Sequence, residues 1–90
     1  MTYTVTFSRK AEKQIDDFER SGNPALLRKI IALTSELEQH PREGTGKPEK
    51  LKGNMPGLWS RRITSEHRLV YAIDDDIITV IVVSAKGHYE

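Results

Sequence analysis

Three kinds of side chain able to move a proton or hold an anion recur in the second half of the chain. Glu49 stands among Lys47, Lys50 and Lys52 in the run GKPEKLK, Arg62 and Arg68 flank ITSEH, and His88 stands beside Tyr89. A carboxylate held among cations is ionised and can accept a proton. An imidazolium can donate one to a leaving oxygen. Guanidinium forks match phosphate oxygens two at a time. A base, an acid and paired cations are the parts needed to drive a ribose 2′-hydroxyl onto its own adjacent phosphate. The arginines can carry the developing charge, so no metal or other cofactor is required. Each residue alone has an ordinary alternative: Glu49 as a surface ion-pair partner, the arginines as solvated side chains covering a sheet, His88 as a frayed terminal residue.

Charge distribution points the same way. From Arg42 to Arg68 there are seven basic residues against three acidic ones, whereas the rest of the chain carries seven basic and ten acidic. The formal net charge of +1 thus conceals a cationic region suited to phosphate. The chain has no cysteine, which removes disulfides and thiolate zinc sites and fits a reducing compartment. Its first residues lack the pattern of a signal peptide, and no apolar run reaches the ~18–20 residues of a membrane span. A soluble cytoplasmic protein with no membrane partner is expected. With 90 residues, one domain over 1–90 with a single modest core is expected.

The elements that must position these groups are legible from periodicity. Tyr3, Val5 and Phe7 alternate with threonines as a half-buried strand does. Ser8 can cap a first helix with Ala11, Ile15 and Phe18 on one stripe. Ser21-Gly22-Asn23-Pro24 ends that helix and starts another, in which Leu26, Leu27, Ile30, Ile31, Leu33 and Leu37 recur at helical spacing until His40-Pro41. Residues 42–57 hold four of the six glycines and two of the four prolines, so a long irregular loop is expected, of the kind that carries function. Three strands follow, over 58–63, 67–73 and 77–85, as an antiparallel meander. The fold class expected is therefore α+β: an N-terminal strand and a helical hairpin packed on a mainly antiparallel four-stranded twisted sheet. If residues 64–66 form the turn, Ile63 pairs with His67 and Arg62 falls opposite Arg68. The other face then carries Trp59, Ile63, Leu69, Tyr71 and Ile73 toward the helices. Like charges placed opposite one another invite an anion between them. His40 is read as a helix-end residue and His67 as a strand-edge residue, neither in the chemistry. Tyr89 is the aromatic available to stack on an exposed base.

The run EGTGKPEKLKGNMPGLWSRRITSEHRLVYAI with its closing HY resembles the YoeB (Txe) toxins of bacterial type II toxin-antitoxin pairs, within the RelE-like ribonuclease superfamily. The resemblance covers essentially the whole chain. It implies the RelE/YoeB-like microbial ribonuclease fold and a metal-independent, ribosome-dependent endonuclease that cuts messenger RNA in the A site. The ends left would be a 2′,3′-cyclic phosphate and a free 5′-hydroxyl. By motif it implies Glu49 as general base, Arg68 as the group stabilising the phosphorane and His88 as general acid. Lys47, Lys52, Arg62 and Tyr89 would contact RNA or its phosphates. The implied partners are a YefM/Axe-like antitoxin, the ribosome with its 16S RNA and message, and a second copy of the chain in a homodimer. Two positions depart from the family pattern: Glu90 follows the tyrosine, and Lys86 stands where an arginine is more usual. A ParE-like toxin that binds DNA gyrase without cutting RNA, or a catalytically decayed RNA-binding module, would be the alternatives.

Overall fold

The two helices begin where the sequence provides caps. In the computed structural model, which describes residues 2–52 and 57–87, strand β1 (Thr4–Phe7) leads into helix α1 (Arg9–Arg20). Ser8 Oγ accepts from the Ala11 N–H at 3.1 Å. Helix α2 (Pro24–Gln39) starts on Asn23, whose Oδ1 accepts from the Leu26 N–H at 3.2 Å. Each cap satisfies a backbone donor that the first helical turn leaves orphaned. Ala11 and Phe18 of α1 and Leu26, Ile30, Leu33 and Leu37 of α2 are buried. Their three- and four-residue spacing makes one stripe per helix.

These stripes cover one face of a sheet whose remaining strands are β2 (Glu49–Lys50), β3 (Leu58–Arg62), β4 (Arg68–Asp74) and β5 (Thr79–Ser84). The strand order is β1-β5-β4-β3-β2. The meander β3-β4-β5 is antiparallel as the sequence indicates, and β1 joins it parallel to β5. Among the described residues the sheet has five strands rather than four, because Glu49 and Lys50 in the expected loop pair with Ser60 and Trp59. The last strand is also shorter than expected. Asp74 closes the ladder opposite Thr79, and its Oδ1 accepts from Asp76 N at 3.0 Å, so 75–78 form the turn and Ile77 is exposed. On the helix side Tyr71, Leu69, Val80, Val82, Ile63 and Ala85 complete the core, with Trp59 and Ile73 packed at its margin.

Arg61 shares this helix-facing side, and it is fully buried. Its guanidinium spends every donor. Nε donates to Tyr71 Oη at 3.2 Å, and Nη1 to Glu36 Oε1 at 3.0 Å and Thr45 O at 3.4 Å. Nη2 donates to Glu43 O at 2.8 Å and to His40 O. Tyr71 in turn donates to Pro41 O at 2.9 Å. The end of α2 and the segment after it are thereby wrapped around one cation. Gly44 and Gly46 make the wrap feasible, since both have positive φ. A Cβ at Gly44 would run into Glu36 Oε1, and one at Gly46 would lie 2.8 Å from Arg62 O. Arg42 fastens the same segment from outside, donating to Asp75 at 2.6 Å, while Tyr3 donates to that carboxylate at 2.7 Å.

Replacing Arg61 by Leu strands these acceptors, and the expected cost is roughly 3–5 kcal/mol, measured as a lower urea midpoint. Acid should act through Glu36, whose carboxyl is held below its usual value chiefly by hydrogen bonding from Thr45, with Arg61 adding to it. A depressed folded pKa contributes stability above the ordinary carboxylate range and loses it as pH falls through the folded value. Glu36→Gln should therefore flatten the acid limb of a thermal-melting profile. Asp75, lowered in the same direction by Arg42, should leave part of the slope in place.

Candidate active site

Side-chain alternation along β3 divides its residues between two tasks. Trp59 and Arg61 face the helices; Ser60 and Arg62 face the other way. Because Glu49 pairs with Ser60 and Arg62 with Arg68, all four lie on the face opposite the helices. Lys50 turns to the helix side, with its ammonium 5.8 Å from the Trp59 ring centroid, a cation–π distance. The register of the arginine pair is the one that a 64–66 turn requires: Ile63 N donates to His67 O at 2.9 Å.

Arg68 is the centre of this face. Its Nη1 lies 3.3 Å from Glu49 Oε1 and 3.5 Å from Ser60 Oγ. The Arg68 side chain is 18% exposed while Glu49 is 61% exposed, so the guanidinium is half sunk and the carboxylate stands over it in solvent. Arg68 Nε is buried without a hydrogen-bond partner among the described residues, as is Ser84 Oγ. Ser84 pairs with Val70 and so belongs to the same face. Arg62 is exposed and has no ion-pair partner among the described residues. A phosphate at this face would meet two guanidiniums, one half sunk and one exposed.

The other expected site residues are not all gathered here. Lys47 and Lys52 lie exposed on either side of β2, Lys47 with φ 51°, and neither bonds to the Glu49–Arg68 pair. His88, Tyr89 and Glu90 lie outside the described residues. The backbone leading to them is held at Gly87, whose carbonyl accepts from Arg68 N at 3.0 Å and whose N–H donates to His67 Nδ1 at 3.0 Å. Residue 88 therefore follows directly on a residue bonded to the backbone of Arg68. Among the described residues no group of three or more potential ligands could hold a metal ion. A hollow lined by Phe7, Glu12, Ile15 and Asp16 lies between β1 and α1, at the far edge of the sheet from β2. It offers two carboxylates and no cation, so it does not suit phosphate.

Sequence reasoning gave no place to Arg61 or Ser60, and it did not foresee that His67, read as a strand-edge residue, accepts from the Gly87 N–H. Strict alternation from Trp59 would have put Arg61 inward and Ser60 outward. His67 carried no signal beyond its place next to Arg68.

A family model described as the YoeB-like toxin of bacterial type II toxin-antitoxin systems matches residues 7–89. Toxin YoeB of Escherichia coli strain K12 is 42% identical over 81 residues, covering 88% of this chain and 94% of that protein. Among solved structures, the YoeB dimer from Staphylococcus aureus superposes with a TM-score of 0.84 at 39% identity, covering 99% of this chain and 100% of that one. The YoeB-YefM complex from the same organism gives a TM-score of 0.81 at 40% identity, with 99% and 100% coverage. The fold thus has close counterparts along nearly the full length of the chain, which belongs to the YoeB-like toxins of bacterial type II toxin-antitoxin systems.

Proposed function

We propose that this toxin is a messenger RNA endonuclease that works in the ribosomal A site by acid-base attack of a 2′-hydroxyl. The observation that carries this is the meeting of Glu49 and Arg68 at 3.3 Å on a face that also bears Arg62, with the chain at Gly87 fastened to Arg68. Glu49 takes the proton from the ribose 2′-oxygen as that oxygen attacks the adjacent phosphorus. Arg68 and Arg62 hold the non-bridging oxygens, whose charge grows in the phosphorane. The bond from phosphorus to the 5′-oxygen breaks, and His88 gives that oxygen its proton. The products are a 2′,3′-cyclic phosphate and a free 5′-hydroxyl. Lys47 and Lys52 add positive potential along the RNA path, and Tyr89 stacks on a base. The cations supply the charge stabilisation, so the scheme uses no metal. In the resting protein Arg68 is occupied by Glu49; an arriving phosphate competes for the guanidinium and frees the carboxylate to act as base.

The partners follow from the same chemistry. The Staphylococcus aureus relative forms a complex with YefM and a dimer. A YefM-like antitoxin with an acidic segment would cover the cationic face here and exclude RNA, and a homodimer is the proposed free form. The protein would act in the cytoplasm, where its ribosomal target is.

Primer extension on message recovered from toxin-treated ribosomes tests the scheme. Wild type should give a strong A-site stop. Glu49→Ala and His88→Ala should each lower cleavage by roughly 10²–10⁴-fold with folding unchanged, and gyrase supercoiling should be unaffected by wild type. Undiminished cutting by both variants would remove the acid-base assignment. Arg62→Ala should weaken RNA binding and reduce its dependence on salt, read as the slope of binding against ionic strength.

A further inference from the structure

The chain beyond β5 has left the sheet ladder, yet Gly87 has both backbone groups engaged. Its carbonyl is bound to the N–H of Arg68 and its N–H to the side chain of His67. Just upstream, Ala85 is buried and its N–H donates to Gln14 Oε1 of α1 at 2.7 Å. A segment that no ladder holds is thus anchored at both ends, and at the anchor nearer to Arg68 a backbone bond is joined by one from an imidazole.

That imidazole is fixed from every direction the structure describes. The backbone of His67 is used up by the turn: its N–H donates to Thr64 Oγ1 at 3.1 Å, and its carbonyl accepts from Ile63 and Thr64 at 2.9 and 3.1 Å. The ring lies against Phe18 of α1, centroids 5.0 Å apart and tilted by 59°. Phe18 is itself a buried core residue. With backbone and ring both held, Nδ1 points at the Gly87 N–H at 3.0 Å. An Nδ1 that accepts carries no proton, so the ring proton sits on Nε2. Gly87 adopts φ +84° with nothing within 4 Å of where a Cβ would be. Its glycine therefore serves the backbone angle that turns the chain onto Arg68, not a tight space.

We propose that His67 is a positioning residue for the C-terminal tail: its Nδ1 latches Gly87, the last described residue before His88, against the backbone of Arg68. The proposal rests in part on the ribonuclease scheme, since only there does the tail carry the general acid. A proton donor acts in the transition state more than in binding, so loosening its anchor should lower kcat while leaving KM in place. Neighbours in sequence thus grip both backbone groups of one residue: the His67 ring holds the N–H of Gly87, and the backbone N–H of Arg68 holds its carbonyl.

Two variants separate acceptor from bulk. His67→Asn keeps an oxygen near the place of Nδ1, whereas His67→Leu keeps apolar packing against Phe18 and removes the acceptor. Amide hydrogen exchange on the free toxin, followed by NMR, should show Gly87 protected in wild type and in His67→Asn and exposed in His67→Leu, with the β3-β4 amides unchanged in all three. In ribosome-dependent cleavage, His67→Leu should lose on the order of 10²-fold in kcat at constant KM, as a displaced catalytic group does, and His67→Asn should stay within about threefold of wild type. Wild-type protection of Gly87 in His67→Leu overturns the latch, whatever the activity. Loss of protection together with a wild type that cuts no message upholds the latch and overturns the ribonuclease scheme instead. Equal loss of kcat in both variants, with Gly87 protected in His67→Asn, overturns the link between latch and catalysis.

Discussion

A buried guanidinium is costly unless every one of its donors finds an acceptor, and the segment after α2 exists in its present form to meet that demand. Arg61 binds three main-chain carbonyls between His40 and Thr45, one carboxylate and one phenol. The three main-chain acceptors belong to no helix or strand. These bonds convert a stretch rich in glycine, which has a large conformational entropy to lose, into a fixed lead-in to β2. Where that lead-in ends, Gly46 O accepts from Arg62 N at 2.7 Å, and three residues later Glu49 enters the sheet.

The same strand therefore serves two faces with alternate residues. Trp59 and Arg61 face the helices and fix the path of the loop; Ser60 and Arg62 face the cationic side. The carboxylate of β2 and the guanidinium of β4 meet across β3, so their separation is set by ladder geometry. Ladder geometry is stiff, whereas the long side chains of Lys47 and Lys52 are not, and the lysines accordingly stand off in solvent. A division between packed and exposed cations is what the proposed RNA cleavage would call for.

Much of this was legible because it depends on local periods. The helix stripes, both caps and the facing of Arg62 with Arg68 follow from spacing and from one three-residue turn. What was not legible depends on contacts distant in sequence. β2 is two residues long and lies among glycines and prolines, so it has no period of its own; only Ser60 and Trp59 make it a strand. Arg61 was left out of the inward set although parity puts it there, since a charge on a core face is acceptable only when partners as far off as Glu36 are in place. The final strand was drawn two residues too long at its start because Ile77 and Ile78 extend an apolar run, while Asp74 shapes the turn that excludes them. The bond between His67 and Gly87 brings together residues 67 and 87, which no short window on the sequence contains.

Strand β1 is a parallel edge strand whose neighbour is made of residues 79–84. The N–H of Ser8 donates to Val82 O at 2.8 Å, so the start of α1 is tied to the same late segment. Pairings of such long separation form only when both partners have been synthesised. A nascent chain that has emerged as far as Arg68 already carries its carboxylate and its arginines, but it lacks the central strand on which the sheet closes. Synthesis of this polypeptide thus runs nearly to its end before the cationic face can assemble, whatever that face acts on.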